Sequence, residues 1–135
     1  MYPSDQIKGD HAELRIASKA KSLGWTVLFP HSESKKYDMV LERDGEFVRT
    51  QVKSSIRKGQ SIEFRCSTLK GGVGGLQRTF YTDDEIDGFA VYNDEVEQCF
   101  WVPIGDANEK KMAINLEDSS AKNPASEYRF AHRFG

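Results

Sequence analysis

Near the start of the chain, Ile16, Ala17, Ala20 and Leu23 recur three or four residues apart, the period of one helical face. This predicts a helix after a short tail, with Asp10 as its N-cap and Gly24 as its stop. The pattern then changes. WTVLFP (25–30) is dense in strand formers and ends at Pro30, and HSESKK (31–36) is a polar loop. Residues 37–42 and 47–53 read as strands around Asp44-Gly45, a dipeptide that favours a two-residue hairpin turn. SIRKGQS (55–61) reads as a basic turn, 62–69 as a strand, and KGGVGGLQR (70–78) as a flexible glycine loop. DDEID (83–87) reads as a turn or a short helical piece. GFAVYN (88–93) and QCFWVPIG (98–105) read as late strands joined by the acidic turn DEVE. From Asp106 the chain is polar, until a small terminal helix over EYRFAHRF (127–134). No repeat or low-complexity linker divides residues 1–135, which predicts one domain of the α/β or α+β class.

A two-residue turn fixes the register of the first hairpin. Arg43 then faces Glu46, Leu41 faces Val48, Met39 faces Thr50 and Tyr37 faces Val52. The six residues from Leu41 to Val52 in these pairs share one largely apolar face, the predicted core face. On the other face Glu42 meets Phe47, Val40 meets Arg49 and Asp38 meets Gln51. Lys53, two residues past Gln51, lies on that side too. A slip of one residue would exchange the faces, and the apolar face is clean only in this register. An acid, an amide and an amine therefore gather at the end of the hairpin away from the turn.

That trio suits metal-assisted hydrolysis of a phosphodiester. Asp38 offers hard oxygen ligands for Mg²⁺, and the Gln51 oxygen and the carbonyl of the intervening Val52 complete the ligand side. Lys53 brings positive charge to the scissile phosphate and the attacking water. A surface ion pair between Asp38 and Lys53, with Gln51 a bystander, accounts for the pattern about equally well. Glu13 is a fourth candidate. It lies on the stripe with Ile16, Ala17 and Ala20, where a carboxylate is costly without a partner such as a cation. Asp10 and Glu13 also fit a D-x-x-E capping box, and on pattern alone capping is the stronger reading.

Composition narrows the class. At 135 residues and 38% hydrophobic, the chain is long enough to bury a core without disulfides. No apolar run approaches the roughly 18 residues of a membrane span, and MYPSDQIKGD lacks a signal-peptide core, so a cytoplasmic protein with no membrane partner is expected. Cys66 and Cys99 form no CxxC pair and have no histidine at zinc-finger spacing; buried free thiols are expected. The net charge of −2 conceals a division. Residues 1–80 carry 14 Lys and Arg against 9 Asp and Glu, whereas residues 81–135 carry 5 against 12. Such a division lets one basic face meet a phosphate backbone. Lys35, Lys36, Arg57, Lys58, Lys70 and Arg78 flank the site in sequence and are the candidate DNA contacts, though singly each reads more simply as a solvated charge.

Taken in order, GDHAELRIASKAKSLGWTVLFP, YDMV and RTQVKSS resemble the PD-(D/E)XK nuclease superfamily, in which a helix bearing an acid precedes a hairpin bearing an Asp and an (E/Q)-x-K element. The Q-x-K form is most similar to the branch of group I intron homing endonucleases. YTDDEIDGFAVYNDEVEQCFWVPI and SSAKNPASEYRFAHRF resemble the same branch, so the likeness covers nearly the whole chain. Each motif is weak alone; their order and spacing are specific. Tyr37-Asp38 stands where the family name has Pro-Asp.

The resemblance implies a restriction-endonuclease-like α/β core, a mixed sheet of four or five strands flanked by helices. It implies a Mg²⁺-dependent endonuclease of double-stranded DNA, with Mn²⁺ as a possible substitute, working as a homodimer or homotetramer. Carried over residue by residue, Glu13, Asp38, Gln51 and Lys53 form the catalytic set, with Asp38, Gln51, Val52 and Glu13 around the metal. This sets Glu13 in the site ahead of capping, although one side chain can serve both. Sequence-specific cleavage of the homing type is expected; a structure-specific Holliday junction resolvase and an inactive DNA-binding module of the same fold are the alternatives.

Overall fold

A computed structural model describes residues 4–71, 73–117 and 122–135, apart from the side chains of Leu69 and Lys70. Helix α1 (Asp5–Ser22) starts earlier than its apolar stripe predicts, because Ser4 takes extended backbone angles and its hydroxyl accepts the Ile7 N–H at 3.2 Å. Asp10 is therefore not the N-cap but a residue of the second turn, and no capping box forms with Glu13. The helix ends as expected at Gly24, whose φ of +89° suits glycine. Then come β1 (Thr26–Leu28), β2 (Met39–Arg43), β3 (Glu46–Ser54), β4 (Ile56–Lys58), β5 (Ser61–Arg65), β6 (Ser67–Lys70) and β7 (Gln77–Phe80). The chain continues through β8 (Gly88–Asn93), β9 (Gln98–Pro103), a single 3-10 turn at Ile104–Asp106, β10 (Lys111–Asn115), α2 (Ala125–Tyr128) and α3 (Phe130–Phe134).

The main sheet is mixed and five-stranded, in the order β1-β2-β3-β8-β9. Its pairs are antiparallel except β3–β8, which is parallel and joins two segments some 35 residues apart. A three-stranded sheet, β10-β5-β4, and the β6–β7 ribbon accompany it. The architecture is that of an α/β restriction-endonuclease-like core.

Both faces of the main sheet are covered, which is why β8 reads as a continuous apolar run with all six residues buried. On one face, Ala12, Ile16 and Ala20 of α1 meet Met39, Leu41, Val48, Val52, Ala90, Tyr92 and Trp101. On the other, Phe89, Val91, Phe100 and Val102 meet Ile62 and Phe64 of β5 and Met112 and Ile114 of β10. Gly88 fixes the closeness of β8 to β9: a Cβ there would lie 2.6 Å from the Trp101 ring and from the Val102 carbonyl oxygen. Phe130 and Phe134 of α3 close the first core, where the Trp25 indole N–H donates to the Phe134 carbonyl at 2.7 Å, while Ala125 and Tyr128 of α2 pack into the second.

Several local readings change. The basic turn at 55–61 is itself the β4–β5 hairpin, its bend confined to Gly59-Gln60. The strand over 62–69 divides at Cys66, whose N–H still donates to the Lys110 carbonyl beside β10, into β5, which pairs with β10, and β6, which pairs with β7. The polar tail contains β10, and part of it (118–121) lies outside the described residues. DDEID is a turn, not a helix start. The guanidinium of Arg49 donates to the carbonyls of Asp83 and Asp84 and pairs with Asp87 at 2.9 Å, so the run is tied to β3. Both cysteines are free, Cys66 buried and Cys99 half-buried. No described helix is long and apolar enough to cross a membrane.

Candidate active site

The β2–β3 hairpin has the register that its turn dictates, from Arg43–Glu46 to Met39–Thr50. Asp44 and Gly45 both take positive φ, +53° and +84°, as a primed two-residue turn requires. The ladder stops short of Tyr37. The Asp38 N–H donates to the Thr50 carbonyl at 2.8 Å, and the Asp38 carboxylate then accepts the Val52 N–H, also at 2.8 Å. A side chain has taken the place of the next backbone partner. Tyr37 consequently does not pair with Val52 or join the α1-side core; it packs against the second cluster.

This substitution builds the site. In an antiparallel ladder the N–H and C=O of one residue face the same neighbour, so the Val52 carbonyl is also turned toward Asp38. Gln51 and Lys53 are the residues on either side of Val52 and point to the opposite face. They pair with Phe89 and Val91 of β8, and so stand on the side of the second core. Both are half-buried. Lys53 Nζ lies 5.1 Å from the centre of the Tyr81 ring. Tyr81 in turn packs edge-on against Phe89 and shares a 2.6 Å hydrogen bond with the Thr68 hydroxyl.

Glu13 reaches the same place from α1. It sits one residue from buried Ala12 and is itself half-buried. Burial first, and then the negative charges of Asp38 and Asp10, push its carboxyl up to about 7. Burial also raises the Asp38 carboxyl, against the pull of the Val52 N–H and the Lys53 charge. Burial lowers the Lys53 ammonium, with Asp38 opposing. Two carboxylates from separate elements thus repel each other at a half-buried point, an arrangement that a cation relieves.

Among the described residues, no three His, Cys, Asp or Glu side chains stand together as metal ligands. The two carboxylates meet here, the Val52 carbonyl is turned toward Asp38, and Gln51 lies on the face with Lys53. The ligand atoms these groups offer are oxygens throughout, which fits a hard cation such as Mg²⁺ that retains several waters.

The candidate DNA contacts are scattered. Lys35 is exposed and Lys36 half-buried in the loop ahead of Asp38. Arg57 donates to the Gly59 carbonyl and lies 3.9 Å from Glu95. Lys58 is 3.4 Å from Glu63. Arg78 donates to the Ser67 hydroxyl at 2.7 Å. The side chain of Lys70 lies outside the described residues. Tyr81 is the site neighbour that sequence reasoning missed; nothing local signals it, because it reaches Lys53 only through the fold.

A family model described as PD-(D/E)XK endonuclease matches residues 4–134. Protein 5.3 of Escherichia phage T7 is 31% identical over 93 residues, 66% of this chain and 73% of the phage protein. The solved structure of a bacterial homing endonuclease, I-Ssp6803I, superposes with a TM-score of 0.80 at 25% identity. The match covers 96% of this chain and 90% of the other.

Proposed function

The chain belongs to the PD-(D/E)XK endonuclease family, on its homing-endonuclease-like branch, and we propose that it is a Mg²⁺-dependent endonuclease that cuts duplex DNA at specific sequences. In this reading residues 1–135 act as one nuclease domain, in the cytoplasm, as a homodimer or homotetramer. The observation that carries it is the meeting of Glu13 from α1 with Asp38 from the frayed end of the hairpin, where the Asp38 carboxylate is held by the Val52 N–H and has Lys53 beside it.

Glu13, Asp38, Gln51 and the Val52 carbonyl would hold the metal, which when bound supplies Lewis acidity toward the phosphate and lowers the pKa of a bound water. The protein's own groups do the rest. The Val52 N–H fixes one oxygen of Asp38, so that carboxylate is oriented before substrate arrives. Gln51 accepts through its oxygen and donates through its nitrogen, which suits it to orient a water. Lys53 donates to a phosphate oxygen and offsets the charge that builds up as the bond to the leaving oxygen breaks. The Tyr81 ring beneath its ammonium limits where that charge can sit.

The test is cleavage, with Mg²⁺ or with EDTA, of a pool of randomised duplexes, a supercoiled plasmid and a four-way junction, reading the cut ends by sequencing. Mg²⁺-dependent cuts at one recurring sequence, lost in Asp38→Ala and Lys53→Ala, are expected. Cuts confined to the junction would replace this reading with a structure-specific resolvase. No cutting of any substrate would overturn it.

A further inference from the structure

A cleft of about 630 Å³ opens directly beside the candidate site. It starts at Val52 and Lys53 and runs between the first turns of α1 and the strands β4, β5 and β10. That volume takes a short stretch of one strand rather than a duplex. Five cations line it against two acids.

The cations are not equivalent. Lys58 and Lys111 converge on the same oxygen, Glu63 Oε1, at 3.4 and 3.2 Å. Both are solvent-exposed, and the single Glu63 carboxylate offsets one of their two charges. Lys8, on α1, and Arg65, at the end of β5, stand on opposite banks, and among the described residues neither has a carboxylate within ion-pair distance. Arg65 is exposed and Lys8 half-buried, so both meet solvent. An uncompensated cation on each bank, in the cleft that Lys53 also lines, is the arrangement that grips an anionic chain passing between them.

We propose that this cleft seats the DNA strand next to the bond to be cut, with Lys8 and Arg65 each taking a backbone phosphate. Glu63 restrains Lys58 and Lys111, so the protein does not hold every phosphate backbone with full strength. This rests on the nuclease reading above and adds the path of the strand. Contacts of this kind fix position and carry no sequence information. They release counterions, so each one is counted by the salt dependence of binding.

The experiment titrates a short fluorescent duplex with the whole chain in EDTA, across a salt series. Lys8→Gln and Arg65→Gln are each expected to flatten the slope of log K against log salt by about 0.9, equally for unrelated sequences. Arg65→Lys is expected to keep the slope. Glu63→Gln, which frees the two lysines, is expected to tighten binding and steepen the slope by up to about 0.9 per lysine. Unchanged slopes in both neutral variants, with the native protein still binding, would overturn the cleft and leave the nuclease reading standing. A native protein that binds no duplex at any salt would overturn both. Preference for an RNA of the same sequence would overturn DNA as the occupant.

Discussion

The hairpins β8–β9 and β2–β3 belong to one sheet and are finished differently. In β8–β9 the ladder holds from Gly88–Pro103 to Asn93–Gln98, every residue of β8 is buried, and Gly88 lets the strands approach until no Cβ fits. In β2–β3 the ladder is complete only toward the turn. At its far end the Asp38 carboxylate replaces a backbone partner, and Gln51 and Lys53 stay half-buried around it. The first hairpin is closed by hydrophobic burial; the second is left open at the point where polar groups gather. Stability and chemistry are thus separated by the few residues between the middle of the sheet and its rim.

The largest test of that separation is at Asp38. Asp38→Asn keeps an oxygen for the Val52 N–H but loses the charge, so cleavage is expected to fall at least about 10³-fold, or about 4 kcal/mol, with little change in melting temperature. Asp38→Ala should lose both, since it also strands the Val52 N–H. Next comes Gly88→Ala in the closed hairpin. It drives a methyl into Trp101 and the Val102 carbonyl and should cost about 3 kcal/mol in urea denaturation with an unchanged m-value.

Glu13→Gln is expected to act oppositely on stability. The folded-state pKa of Glu13, about 7, lies above its ordinary 4.5, so the folded state prefers the protonated form. The resulting destabilisation is full above pH 7, fades as pH falls from 7 to 4.5, and is absent below. Solvent screening at this half-open position reduces it to about 1 kcal/mol. The variant should therefore melt higher than the native protein at pH 8 and level with it near pH 4, and should gain less from added Mg²⁺. The smallest effect is at Tyr81. Tyr81→Leu removes the ring under Lys53 and should lower kcat several-fold, about 1 kcal/mol, whereas Tyr81→Phe keeps the ring and the rate.

Legibility in the sequence follows the same division. The β2–β3 register was readable because Asp44-Gly45 sets it locally and alternation confirms it. GFAVYN was readable as a strand, but not as the parallel neighbour of β3, because no local pattern encodes a pairing across an intervening ribbon. Glu13 was ambiguous while Asp10 stood as the cap; Ser4 and Ile7 remove that alternative. Tyr37 was assigned to the wrong core because alternation continues past the point where a carboxylate interrupts the ladder. The alternation of Met112 and Ile114 was present in the sequence but outweighed by its polar surroundings. The pairing of Lys58 with Glu63 is not legible, because SIRKGQS reads as a turn and gives no sign of the β4–β5 pairing that brings the two together; Lys58 therefore stands in the sequence only as a solvated charge or a candidate DNA contact.

The hydrogen bond from Val52 to Asp38 also makes the site observable from within. Its amide proton is shared with a carboxylate whose charge changes whenever a proton or a cation arrives. That backbone resonance is a built-in gauge; the other amide of β3 that meets a carboxylate, Arg49, donates to Asp87, an acid already paired with the Arg49 guanidinium. Isotope labelling at valine alone would let occupancy of the site be followed in the intact protein, without substrate and without turnover.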